Sequence, residues 1–120
     1  MDAPESKRPA DPVYAYGLLG EAVYELATGR GRINERLLDA FMRIQLARPD
    51  DFPEMLRGDF MWIMDKFRSR GVLQGEDGEI VVSRIESALS AMDENLSVEI
   101  ARHLIALNSR LGSHLDPEEP

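Results

Sequence analysis

Residues 51–71 read Asp51-Phe52-Pro53-Glu54-Met55-Leu56-Arg57-Gly58-Asp59-Phe60-Met61-Trp62-Ile63-Met64-Asp65-Lys66-Phe67-Arg68-Ser69-Arg70-Gly71. Leu56, Phe60, Ile63, Met64 and Phe67 recur at the spacing that puts them on one face of an α-helix. The start is marked as well. Asp51 is able to accept a backbone N–H, Pro53 tolerates a first helical turn, and Glu54 stands three residues on, as in a capping box. Lys66, Arg68 and Arg70 suit the negative end of the helix dipole, and Gly71 stops the helix. A helix over about 51–70 with one strongly apolar face needs other helices to bury that face, and the rest of the chain supplies them.

Upstream, Tyr16, Leu19, Val23 and Leu26, joined by Ala15 and Ala22, predict a helix over about 13–28 that Gly29 ends in a left-handed conformation. Ile33, Leu37, Ala40, Phe41 and Ile44 predict a second helix over about 32–47, because Pro49 disfavours helical geometry at the residue before it. Downstream, residues 72–78 read as a loop, with a short ribbon about Asp77-Gly78 as the alternative. Val81, Ile85, Ala88, Leu89 and Met92 predict a helix over about 79–92 opposite Ser83, Ser87 and Ser90. Asp93 then caps a last helix to about Leu111. Its wide apolar arc, centred on Leu96, Ile100, Leu104, Leu107 and Leu111, marks it as central to the packing. No stretch alternates for long enough to compete as a strand. The expected fold is all-α: one domain over residues 13–111, a bundle of about five helices. Leu19, Leu26, Leu37, Phe41, Phe60, Phe67, Ile100, Leu104 and Leu107 form its core, and flexible tails at 1–12 and 112–120 flank it.

The composition fits. The chain has 120 residues, 43% hydrophobic and 30% charged, which is one domain of ordinary globular character. No uncharged stretch exceeds the nine residues Pro12–Gly20, so neither a membrane span nor a signal-peptide core is expected, and the expected location is cytoplasmic. The absence of cysteine excludes disulfides and thiol chemistry. A net charge of −8 argues against direct nucleic-acid binding, which depends on neutralising phosphates. Residues 72–120 carry ten acids against three bases, so the acidity lies at the C-terminal side. Glu76, Asp77, Glu79 and Glu94 are its candidate exposed acids, placed to steer a basic protein partner or simply to keep the chain soluble.

Enzyme motifs do not emerge. Gly29-Arg30-Gly31-Arg32 follows no strand and lacks the Lys-Ser/Thr of a phosphate-binding loop, and no G-x-S-x-G surrounds a serine. His103 and His114 are too few for a three-histidine metal site. Glu99 and His103 share a helix face, but as a solvated ion pair rather than as ligands. Residues 76–79 lack the alternating oxygen ligands of a calcium hand. Arg57-Gly58-Asp59 spells an adhesion tripeptide inside a predicted helix and is read as coincidence. No catalytic residue, metal or cofactor is expected.

Two surface features remain. Arg30 and Arg32 stand at the positive end of the second predicted helix, and Arg36 and Arg43 continue that stripe, so something negative should lie close by. Either a bound anion or the chain's own acidic half meets that need. Met55 and Trp62, with Leu38 and Met42, are apolar residues displaced from the core stripes. They form either a contact surface for a protein partner, most simply a second copy in a homodimer, or the second face of an inner helix.

The runs Ala27-Thr28-Gly29-Arg30-Gly31-Arg32-Ile33-Asn34-Glu35-Arg36-Leu37 and Arg48-Pro49-Asp50-Asp51-Phe52-Pro53-Glu54-Met55-Leu56-Arg57, with Phe60 and Ile63, resemble a group of small uncharacterised bacterial proteins. The resemblance spans about residues 20–111. It implies a bacterial origin and a compact helical domain, and it carries no functional residue. The expected function is a non-catalytic interaction module, an accessory or regulatory subunit. The alternatives are an acidic inhibitor (an immunity protein, antitoxin or anti-defence protein) of a basic nucleic-acid enzyme, and an anion or ligand sensor built on the arginine stripe.

Overall fold

In the computed structural model, residues 8–69 and 93–116 are described. They form α1 (Pro12–Thr28), α2 (Ile33–Ile44), a 3₁₀ turn (Pro49–Asp51), α3 (Glu54–Ser69) and α4 (Glu94–Leu115). Four α-helices and no strand therefore make up the described residues. The helix expected over 79–92 and the loop at 72–78 lie outside them.

Each helix begins where local chemistry satisfies its free N–H groups. The Asp11 carboxylate accepts from the Tyr14 N–H at 3.1 Å, and Pro12 occupies the first turn of α1. Asp93 caps α4 as expected, accepting from the Asn95 N–H at 3.3 Å. In α2 the Glu35 carboxylate reaches back to the Arg32 N–H at 3.0 Å. Asp51 does not cap α3. It closes the 3₁₀ turn instead, fully buried, and α3 starts three residues later with the Leu56 N–H donating to the Pro53 carbonyl at 2.8 Å.

The helix ends also differ from expectation. Gly29 is extended (φ −66°, ψ 158°), and Gly31 takes the left-handed conformation at φ 94°. Gly29 is needed for space rather than for its φ: a Cβ there would stand 2.6 Å from the Glu25 carbonyl oxygen. Helix α2 stops at Ile44, short of the expected 47, and Arg48 before Pro49 is extended (φ −120°, ψ 155°). Helix α4 runs four residues past the expected end at Leu111, to Leu115. Residues 8–12, expected as tail, are held by Asp51, and α1 begins at Pro12.

Helix α1 packs on α2 and α4, α2 also packs on α4, and α3 packs on α4, so α4 touches every other helix. The pairs Arg43–Glu21 and Arg36–Leu26 place α1 and α2 antiparallel, and Trp62–His103 with Asp59–Arg110 do the same for α3 and α4. All nine residues expected to form the core are buried. Phe41 meets Phe67 with ring centroids 4.8 Å apart, tying α2 to α3, and Phe52 stacks on Phe60 at 4.5 Å, tying the 3₁₀ turn to α3. Tyr16 departs from the expected core face. It is 40% exposed and lies over Gly112, where a Cβ would stand 2.9 Å from its hydroxyl. No helix among the described residues is long and apolar enough to cross a membrane.

Candidate interaction surface

The seam between α3 and α4 carries the chain's single tryptophan. Trp62, half-buried, stacks on His103 with ring centroids 3.9 Å apart and 23° between planes. The His103 Nδ1–H donates to the Glu99 carbonyl at 2.9 Å, which fixes the ring against its own helix and leaves Nε2 as its other polar atom. The Glu99 side chain is not the partner, so the ion pair expected between Glu99 and His103 is replaced by this backbone bond and the stack. The Lys66 ammonium lies 5.2 Å from the Trp62 ring centroid.

Beside the tryptophan a groove of about 430 Å³ opens between α3 and the segment joining α2 to it. Met61, Trp62 and Met64 form its α3 wall, and Gln45, Ala47 and Pro49 the opposite one. Asp65 and Arg68, paired at 3.9 Å, line it as well. Met61 is 52% exposed, and Met55, 72% exposed, lies at the other end of α3 in a shallow depression shared with Ser109, Arg110, Ser113 and His114. Met55 and Trp62 thus lie along one flank of α3 without touching the same hollow. Leu38 and Met42 lie on α2 and line neither hollow; like Trp62 and Met64 they are half-buried and pack against the core cluster. Displacement from the main stripe reads as leftover surface, whereas here it serves a broad helix contact. Met61 and Met64, which the sequence reading had not placed on this surface, stand one and two residues from Trp62 and so off its helical stripe; the groove, not the spacing, brings them into the lining.

The arginine stripe is met by the protein's own groups. Arg32 Nε donates to Glu94 at 2.7 Å, so one acid of the C-terminal part meets the start of α2. Arg36 donates to the Leu26 carbonyl at 2.8 Å and to the Gly31 carbonyl at 3.2 Å, closing the end of α1. Arg43 bridges Glu25 at 3.1 Å and Glu21 at 3.8 Å on α1. Arg30 is exposed in the loop. The four arginines therefore do not converge on one point. Of the candidate acids, Glu94 is engaged by Arg32, while Glu76, Asp77 and Glu79 lie outside the described residues. The Arg57-Gly58-Asp59 tripeptide is inside α3, with Arg57 donating to the Pro49 and Phe52 carbonyls and Asp59 paired with Arg110.

Two buried polar centres were not foreseen. Asp51 accepts from the Arg8 guanidinium at 2.9 and 3.1 Å, from the Arg48 N–H at 2.8 Å and from the Asp11 N–H at 2.9 Å. Burial alone would raise its pKa, but these donors outweigh burial and hold the carboxyl below its ordinary value. Ser97 donates to Asn34 Oδ1 at 2.5 Å, both residues buried between α2 and α4. The signal for this pair was present: Asn34 and Ser97 are polar residues at core-periodic positions of their helices, each otherwise filled by apolar side chains. Among the described residues no three His, Asp or Glu side chains gather as a metal-binding group would require.

No protein-family model, no curated protein and no solved structure matches this chain.

Proposed function

We propose that this protein is a non-catalytic interaction module, an accessory or regulatory subunit that docks a protein partner along α3. The observation that carries the reading is the groove beside Trp62, with the exposed Met61 and half-buried Met64 at its wall. An aromatic anchor flanked by methionines, with a charged pair at the margin, is the composition of an adaptable hot spot. Three of the four candidate arginines, Arg32, Arg43 and Arg36, are engaged by Glu94, Glu25 and the carbonyls of Leu26 and Gly31, which favours the docking reading over an anion sensor.

Met61→Asp is the informative variant, because Met61 lies outside the core at 52% exposure and its replacement should leave the fold intact. Capture of the partner from the native host should fall at least tenfold while the helical circular dichroism stays unchanged. Undiminished capture by Met61→Asp and by Met55→Asp would remove α3 as the docking face.

A further inference from the structure

Trp62 belongs to two structures at once. Its side chain lines the groove on α3, and its indole stacks on His103 across the seam with ring centroids 3.9 Å apart. The histidine is held in one tautomer. A carbonyl oxygen only accepts, so the 2.9 Å contact between Nδ1 and the Glu99 carbonyl puts a proton on Nδ1, and an added proton goes to Nε2. Gaining it changes the charge of the ring without breaking the bond that fixes its position. The stack then changes in kind, from two neutral rings to a cation lying on an aromatic face, which is the stronger contact.

The neighbouring charges leave that difference in place. Among the described residues, α3 brings Asp59, Asp65, Lys66 and Arg68 to this part of the surface, and α4 brings Glu99, Arg102 and Arg110. Asp59 is paired with Arg110 and Asp65 with Arg68. Glu99 and Arg102 are both exposed on α4 and opposite in sign. The Gln45, Ala47 and Pro49 wall of the groove carries no charge. Lys66 alone works against protonation, since its ammonium lies 5.2 Å from the same indole centroid. Its long stem lets the ammonium swing toward water, however, while the imidazole stays anchored at the shorter distance.

From this arrangement we infer that Trp62 and His103 form a protonation switch on the α3 groove: imidazolium at His103 clamps the indole against α4, and the neutral ring releases it toward an occupant of the groove. The regulatory meaning rests on the docking proposed for that groove, whereas the switch itself does not. An occupant that draws the indole off the stack has to break the stronger contact when His103 is charged. Docking and proton uptake therefore oppose each other, each lowering the affinity of the other by the same factor.

The first test uses the full chain and its single tryptophan. Imidazolium in contact with indole quenches its fluorescence more than imidazole does. Emission should fall along a one-proton curve between about pH 8 and about pH 5.5, and acrylamide should reach the indole less well at the acid end, with helical circular dichroism constant throughout. His103→Phe keeps a ring on the indole but cannot be protonated, and His103→Gln removes the ring; both should abolish the pH response. His114→Gln, at the other histidine of the chain, should retain it. A response that survives both His103 variants, or a wild type with no response, overturns the switch. The second test places a photoreactive residue at Met61 and irradiates permeabilised host cells at the same two pH values. Adduct yield should be about threefold higher at the alkaline end in the wild type and equal at both in His103→Phe. Equal yields in the wild type overturn the regulation, whereas no adduct at either pH removes the docking reading and leaves the fluorescence result to decide the switch.

Discussion

Asp51 is where three segments of the chain meet, since its carboxylate holds Arg8 and Asp11 from the N-terminal side and Arg48 from the end of the α2 connection. Its side chain has no exposed surface, whereas both arginines remain about a third exposed. Asp51→Asn keeps the shape but removes the charge, and should cost about 2 kcal/mol, below the loss expected for a wholly buried pair because the arginines recover some solvation. The pH dependence has a definite sign. The folded carboxyl is held below its ordinary value, while in the unfolded chain it titrates near about 3.9. The unfolded state therefore binds the proton first as pH falls. The stabilisation is complete above about pH 5 and is lost as pH drops through the folded value. The difference in urea midpoint between wild type and Asp51→Asn should thus be large at neutral pH and shrink steadily below pH 4. A constant difference would mean that Asp51 acts by packing alone. The sequence showed Asp51 as a helix cap because Asp-x-Pro-Glu is a strong local signal; in the fold Asp51 accepts from the Arg48 N–H three residues back and from Arg8, 43 residues away, and the second of these lies beyond any local pattern.

At the scale of elements, the helices were legible wherever one face was periodic and their ends were not. The apolar stripes of α2, α3 and α4 place Leu37, Phe41, Phe60, Phe67, Leu104 and Leu107 in the core, as their spacing requires. The boundaries shifted because tertiary bonds compete with caps: Gly31 rather than Gly29 takes the left-handed turn, and Arg36 satisfies the end of α1 through the Leu26 carbonyl. Arg36 was read as one of four arginines of an anion site, but its geometry is that of a splice between two helices. Arg36→Ala should therefore lower stability by about 1 kcal/mol, and Arg36→Lys should recover little of it, since a point charge lacks the fork that reaches both carbonyls. Thermal melts of the two variants decide this. Full rescue by lysine would show that the charge, not the two directed bonds, is what matters. The Ser97–Asn34 bond shows the same limit of local reading, because a polar residue in an apolar stripe is explained only by its partner on another helix.

At the scale of the whole molecule, α4 touches α1, α2 and α3, and among the described residues the flank of α3 carries the exposed Met55 and Met61. That flank was visible in the sequence as Met55 and Trp62 lying off the core stripe. The central claim is that the α3 groove receives a protein partner, and site-specific photo-crosslinking in the native host tests it most directly. A photoreactive residue at Met61 should yield a discrete adduct that disappears when Trp62→Ala is introduced, while the same residue at exposed Asp39 on α2 yields none. The absence of an adduct at Met61, or equal adducts at Met61 and Asp39, would contradict it.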